Sequence, residues 1–405
     1  MKKSITVAVL GAGIMGVTTA MFLARKGVHV TLIDAAARPF DGASRWNEGK
    51  IHLGHLYAAD PGLQTARRLL PGGLAFKRLT ESLIATSLDG AVTDHADTYL
   101  THRDSVVDAE AMAAYLHAVT ALASEHPDAK DYLIDLRGAR VEVLGKRQLE
   151  ATYATDRIVA GFRVPERSID TQWLADRFVQ ALAADDKIEQ RMATRVTGVR
   201  RSRPDESAPL FVDTDAGREG PFDFVVNALW EGRLAIDASM ALPMPGVRTH
   251  RYRLSVFARS AEPIVIPSTV IATGPFGDVK SYSERTSYLS WYPAGLVAEG
   301  NAIAPPASPR LDVEQRDRII DEVLGKLGEF VPAVGKLAEP GSERRLEGGW
   351  VYAQGEGSLA DEKSTLHRRD RIGIQRSGSY FSVDTGKYSI APWLAQQIAD
   401  AIAHQ

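Results

Sequence analysis

The chain predicts an α/β protein with an α+β second domain, and three observations carry that expectation. A β-branched strand runs into three patterned glycines near the N-terminus, "ITVAVLGAGIMG". Segments of alternating polarity cluster between residues 245 and 305. A strand, a glycine turn and a helix follow in order at the C-terminus, "GSYFSVDTGKYSIAPWLAQQIADAIAHQ". With 405 residues the chain is long enough for two or three structural units.

The opening motif sets the first unit. Gly11 permits a tight turn, Gly13 lets the backbone approach a pyrophosphate, and Gly16 lets the next helix pack close to the sheet. A helix over about Ile14–Lys26 aims its free amides, those of Ile14, Met15 and Gly16 first, at the phosphates. Asp34 closes the following strand "VHVTLID", where a carboxylate accepts hydrogen bonds from ribose hydroxyls and repels a 2′-phosphate. This Rossmann-like order serves NAD and FAD alike. Met1, Lys2 and Lys3 ahead of an apolar run imitate an exported leader, but the run passes through the glycines and then Arg25 and Lys26 without a small-residue cleavage site. No segment approaches the roughly 18–20 apolar residues of a membrane span. A cytoplasmic protein is expected.

Hydrophobic content of 44%, charged content of 24% and a net charge of −3 are those of an ordinary globular chain, with no basic surplus for nucleic acid or an anionic membrane. The absence of cysteine excludes disulfides, zinc–thiolate sites, iron–sulfur clusters and a catalytic thiol. No His/Asp/Glu spacing resembles a metal site, and no nucleophile turn is present.

After Asp34 a nicotinamide domain continues with further β-α units, whereas this chain gives "RPFDGASRWNEGKIHLGHLYAAD". The loop is polar and rich in small residues (Gly42, Ala43, Ser44, Gly49) that admit a long, extended cofactor, with Arg45 available to a pyrophosphate and Ser44 and Asn47 to hydroxyls or phosphates. An ordinary surface loop is the alternative. His52 and His55 follow on a strand, positioned to touch substrate, to tether a cofactor or only to satisfy local hydrogen bonds. Residues 62–150 are largely helical by pattern, with helices expected at Leu63–Ala85 and Ala109–Ala123, and Asp108 and Asp170 serve as helix caps. "KIEQRMATRVTGVRR" ends in a strand around Val196, and "FDFVVNALWEG" is a buried strand opening into small and polar residues. From "RTHRYRLSVFAR" to "SYLSWYPAG" the alternation is that of antiparallel strands, a roof over the cofactor. Tyr288, Trp291 and Tyr292 divide there between a cavity side and a core side. A proline-rich link and an amphipathic helix, "APPASPRLDVEQRDRIIDEVLGKL", follow.

The ordered set "GAGIMG", Asp34, "GASRWNEG", "TRVTGV", "VVNALW" and "DTGKYSIAP" resembles the D-amino acid oxidase/glycine oxidase family of FAD-dependent oxidoreductases along the full chain. The resemblance implies a Rossmann-like FAD-binding domain and oxidation of an amine or amino acid by hydride transfer to the flavin. By position, Gly11, Gly13, Gly16 and Asp34 would hold the ADP half of FAD. Ala43, Ser44, Arg45, Asn47 and Gly49 would line the pyrophosphate and flavin approach, the Val196 backbone would meet adenine, and Ala228 would sit beside the cofactor. Gly386 and Lys387 would lie by the pyrimidine edge of the ring. Two departures, Leu229-Trp230 in place of Thr-Gly and "DTGKYSIAP" in place of a more glycine-rich turn, fall near the flavin face and bear on substrate and oxygen reactivity.

The expected domains are a discontinuous FAD-binding unit of residues 1–80, 151–240 and 345–405, and a mixed-sheet substrate or roof domain of 81–150 and 241–344. FAD is expected to be non-covalent, the substrate a small molecule and the electron acceptor oxygen or another oxidant. Lys387 is expected to stabilise charge on the reduced ring or to pair with a substrate carboxylate. Arg253, Lys280, Tyr288 and Tyr292 are expected to bind substrate. An FAD-dependent dehydrogenase of a hydroxy acid or sugar-like alcohol is an alternative, with His52 or His55 as its base. A non-catalytic flavin-binding redox protein is a second.

Overall fold

The computed structural model describes residues 5–405, so Met1, Lys2 and Lys3 lie outside the described residues. Thr6–Leu10, the apolar run that imitates a leader, is an inner strand of a six-stranded sheet. The sheet runs in the order Gly373–Ser377, Tyr380–Asp384, Phe224–Asn227, Thr6–Leu10, His29–Ile33, Ile188–Arg191. Every neighbouring pair is parallel except the outermost, Gly373–Ser377 with Tyr380–Asp384.

Both faces of this sheet are covered, which explains why "TVAVL" is continuously apolar rather than alternating. Val7 and Val9 pack toward the helices Ile14–Arg25, Thr171–Ala183 and Ala391–Ala403. Ala8 and Leu10 pack toward the antiparallel strands Val196–Arg201, Leu210–Thr214 and Gly217–Phe222 on the other side. The helix Ile14–Arg25 is buried from Ile14 to Ala24, a helix wrapped by protein all round. Asp108 and Asp170 cap as expected. Asp108 accepts the Ala111 amide at 2.8 Å, and Asp170 accepts those of Gln172 and Trp173 at 2.9 and 3.1 Å.

The roof is a mixed sheet of nine strands. Thr249–Arg259 pairs along its length with the equally long Glu343–Ala353 and on its other side with Leu296–Gly300 and Thr286–Trp291. Gly277–Ser281, Thr269–Ala272, Asp97–His102, Ile158–Val164 and Glu142–Val143 continue outward. The outer face carries Leu254, Val256, Leu289 and Trp291, packed against the helix Val313–Gly328 and Phe330. Registry of Lys280 with Tyr288 and Asp278 with Ser290 puts these four on the inner face.

Two strands depart from the expected partition, and a third lies where helix is expected. Ile158–Val164 and Glu343–Ala353 belong to the roof sheet, although most of both lies in segments assigned by sequence to the FAD unit. Asp97–His102 is a strand, fully buried, inside a stretch whose pattern is largely helical. Its polar composition, "DTYLTH", is tolerated because Asp97 holds two lysines. No described helix is long and apolar enough to cross a membrane.

Candidate functional site

The first half of the site is the turn after Thr6–Leu10. Gly11 has φ +99°, and a Cβ there would meet the Ala228 carbonyl oxygen at 2.7 Å. A Cβ on Gly16 would fall 1.7 Å from the Gly11 carbonyl oxygen, so the helix can pack this closely only without a side chain. On Gly13 it would lie 2.8 Å from Ser44 Oγ, which accepts the Ile14 amide at 3.0 Å. The first turn of this helix contains no acidic residue, leaving its positive end uncompensated for an anion. Asp34 accepts the Ala12 amide at 2.6 Å and the Ala36 amide at 2.7 Å, bracing the turn with both oxygens while lone pairs remain. Nearby, burial and then the Asp34 charge push the Glu231 carboxyl up to about 7.

The loop after Asp34 is held by its own polar groups. Asn47 donates to the carbonyls of Ala43 and Ser44 at 2.9 and 3.2 Å and accepts the Gly49 amide at 2.9 Å. Gly49, at φ +63°, approaches Ile169 so closely that a Cβ would lie 1.9 Å from its carbonyl oxygen. Arg45 is buried and pairs with Asp176 at 2.7 Å, its Nε donating to the Phe40 carbonyl. Val196 opens the strand packed behind Leu10, and the Ala228 amide donates to the Leu10 carbonyl at 2.8 Å. Trp230, at φ +50°, turns its indole to the roof and donates to the Trp350 carbonyl at 2.8 Å.

The second half is an open cavity between this unit and the roof. Glu48, Lys50, Tyr57 and Lys387 line it from the cofactor side. Asp278, Tyr288, Tyr292 and Arg251 line it from the roof, and His367 and Arg369 from the loop before the last two strands. Gly386, at φ +64°, sets the turn that delivers Lys387, its amide donating to Asp384 Oδ1 at 3.1 Å.

Of the residues expected at the site, Tyr288, Tyr292 and Lys387 line this cavity, and Trp291 lies in the outer core as the alternation requires. Arg253 stands beside it, donating to Ser290 Oγ at 2.9 Å and lying 3.5 Å over the Tyr292 ring. Lys280 is fully buried against Asp97 at 2.7 Å and does not reach the cavity. His52 and His55 are buried behind the wall. His55 Nε2 meets Thr120 Oγ1 at 3.0 Å, and neither ring nitrogen of His52 has a hydrogen-bond partner. Burial, followed by the Lys387 charge, lowers the His52 pKa to about 4, which leaves a neutral ring.

Sequence reasoning missed Arg251, Arg369, Asp278, Glu48 and Lys50. Arg251 and Arg369 are buried without a carboxylate partner at ion-pair distance among the described residues, and Arg251 Nε has no acceptor. Burial and then the repulsion of Arg369 lower the Arg251 pKa to about 10. Burial works against the charge of Lys387, but Tyr57 and Glu48, the latter at 3.9 Å, hold its pKa above the ordinary value. From the wall, Lys50 reaches inward to Asp97 at 2.6 Å, Tyr99 at 3.0 Å and Glu166 at 3.2 Å. Tyr99 donates to Glu166 at 2.9 Å, closing a buried network.

The glycine positions, the bare helix end and the residual capacity of Asp34 fit a bound pyrophosphate and ribose, so the fold defines a dinucleotide-binding protein with a roofed chamber. Residues 6–358 match the family model described as FAD dependent oxidoreductase, DAO, and the chain belongs to that family. It is an FAD-dependent oxidoreductase. Solved structures share the fold at low identity. Glycine oxidase from Geobacillus kaustophilus is 14% identical with a TM-score of 0.66, the match covering 99% of this chain and 96% of that one. L-proline dehydrogenase from P. horikoshii is 15% identical with a TM-score of 0.65, over 99% and 94%. Iminodiacetate oxidase from Chelativorans is 15% identical with a TM-score of 0.65, over 98% and 95%.

Proposed function

We propose that this protein oxidises a small amine bearing a carboxylate, an amino acid or a close relative. The observation that carries the reading is the pair of buried guanidiniums, Arg251 from the roof and Arg369 from the loop, lining the cavity without a carboxylate to neutralise them. An unpaired buried cation is unfavourable, and a substrate carboxylate relieves two at once in charge-assisted hydrogen bonds. The amine half of the reading rests on the family and on the neighbours, named for glycine, proline and iminodiacetate.

In this reading Gly11, Gly13 and Gly16, with the amides of Ile14 and Met15, hold the pyrophosphate, and Asp34 holds the ribose. Ala43, Ser44, Arg45, Asn47 and Gly49 shape the passage to the ring, the Val196 backbone faces adenine, and Ala228, Gly386 and Lys387 flank the cofactor. When bound, FAD supplies the acceptor of the α-carbon hydride. The chain's own residues orient the substrate against it, Arg251 and Arg369 by its carboxylate and Tyr288 and Tyr292 by enclosing it, while Lys387 contributes positive charge. The cofactor is read as non-covalent, since the chain lacks cysteine and neither His52 nor His55 lines the cavity. That placement also removes His52 and His55 as the base of the alcohol-dehydrogenase alternative. A cytoplasmic location accords with the apolar run Thr6–Leu10 being built into the sheet.

The test begins with the visible spectrum of the purified protein before and after acid precipitation, where the flavin bands are expected in the supernatant. Anaerobic mixing with glycine, L-proline, iminodiacetate and sarcosine should then bleach those bands with at least one of them, and glycolate and lactate should not. Bleaching by the hydroxy acids alone would reverse the proposal. Admitting air afterwards reads whether oxygen is the acceptor.

A further inference from the structure

Two carboxylates stand on the cavity wall, and their circumstances differ. Glu48 is ion-paired with Lys387 at 3.9 Å. The carboxylate of Asp278, half-buried on the inner face of the roof, has no hydrogen bond or ion pair to any described residue. The cations near it are committed elsewhere. Lys280, two residues along the same strand, donates to Asp97 at 2.7 Å. Lys50 donates to Asp97 at 2.6 Å and Tyr99 at 3.0 Å, and Arg253, two strands away in the roof, donates to Ser290 and lies over Tyr292. The chamber therefore offers an uncompensated cationic wall at Arg251 and Arg369 and an uncompensated carboxylate at Asp278. That is the complement of a zwitterion.

Resting on the reading of the protein as an amine oxidase, we propose that Asp278 anchors the ammonium group of the substrate and accepts its proton. The N–H bond breaks with its electron pair remaining on nitrogen, an O–H bond forms at an Asp278 Oδ, and the carboxylate becomes a neutral acid. The amine left behind carries the lone pair that its oxidation to an imine requires. The surroundings suit the task. Burial pushes the Asp278 carboxyl up to about 6, with Lys280, Lys50 and Arg253 opposing the rise and Glu48 adding to it. Tyr288 on the adjacent strand and Tyr282 are the other titratable groups that face it. At neutral pH such a group is ionised, yet it takes a proton more readily than an ordinary aspartate. Below about pH 6 it is protonated and loses its hold on the ammonium.

Two readouts on the FAD-loaded protein test this. The first is a spectral titration of the flavin bands at about pH 8 with trimethylglycine and with its isostere 3,3-dimethylbutanoate, in which a neutral carbon replaces the cationic nitrogen. Both present a carboxylate to Arg251 and Arg369, and only the first presents a cation. Wild-type protein should prefer trimethylglycine by roughly tenfold, and Asp278→Asn should bring the two near parity while keeping its affinity for 3,3-dimethylbutanoate within about twofold. Equal binding by the wild type, or a preference retained by the variant, overturns the anchor. The second is the pH dependence of anaerobic bleaching by the amine panel, which should fall as pH drops through about 6 in the wild type and lose that step in D278N. An unchanged profile overturns the proton transfer. Failure of every amine to bleach wild-type flavin overturns the oxidase reading and the proton transfer with it, while the probe pair still decides the anchor.

Discussion

Asp97→Asn tests whether the buried charges under the cavity behave as the geometry requires. Asp97 Oδ2 accepts from Lys50 at 2.6 Å and from Lys280 at 2.7 Å, and all three side chains are buried. Removing the charge does not strand both lysines, because Lys50 keeps Glu166 at 3.2 Å. Lys280 has no second carboxylate at ion-pair distance among the described residues. The loss is thus that of one buried ammonium left without its counter-ion, about 3–5 kcal/mol rather than twice that. Urea unfolding followed by tryptophan fluorescence measures it, and adding Lys280→Met, which removes the stranded charge, should restore most of the loss. A pH dependence sharpens the test. Burial and the repulsion of Lys50 lower the Lys280 pKa despite Asp97, so the folded protein binds fewer protons here than the unfolded chain. Stability tied to this group rises with pH between the lowered folded value and the unfolded value of about 10.4. Without Asp97 that window extends further down, and the deficit of D97N relative to wild type should narrow as pH rises from about 7 to about 10. A loss below about 1 kcal/mol, or a deficit flat across that range, would refute the reasoning.

Replacing Arg251 or Arg369 by Met should raise KM for a carboxylate-bearing amine roughly tenfold to a hundredfold while leaving flavin content at the wild-type level, because neither residue belongs to the dinucleotide turn. Steady-state kinetics beside the flavin-to-protein absorbance ratio reads both quantities, and an unchanged KM in both variants would remove the clamp. Gly16→Ala should abolish FAD retention, since its Cβ would lie 1.7 Å from backbone oxygen, whereas Gly13→Ala meets only the movable Ser44 hydroxyl at 2.8 Å and should weaken retention less. Equal flavin loss after gel filtration of the two variants would count against this ordering.

How much of this was legible in the sequence depends on whether a residue's role is local. The turn at Gly11–Gly16 and the caps at Asp108 and Asp170 are local, and their geometry follows from residue type and spacing. The division of Tyr288 and Tyr292 from Trp291 follows from strand alternation. Asp97–His102 was hidden because its inner side chains are buried through lysines 47 and 183 positions away, not through apolar surface. Arg251 and Arg253 share a face of one strand, and only the seating of Arg253 on Tyr292 decides which of the two fronts the chamber. Arg369 comes from an irregular loop that no periodicity marks. His52 and His55 sit near the cofactor loop in sequence, but the chain folds them behind the wall.

The order of strands in the cofactor sheet has a consequence for how the protein is made. Thr6–Leu10 and the helix Ile14–Arg25 leave the ribosome some hundreds of residues before the strand Tyr380–Asp384 and the helix Ala391–Ala403 that complete their layer. Throughout synthesis the apolar flank of Ile14–Arg25 awaits a partner still being translated. Synthesis halted after Glu343–Ala353 but before Tyr380–Asp384 therefore leaves a chain whose roof strands are all present but whose nucleotide unit is unfinished, a natural client for chaperones rather than a partly working enzyme.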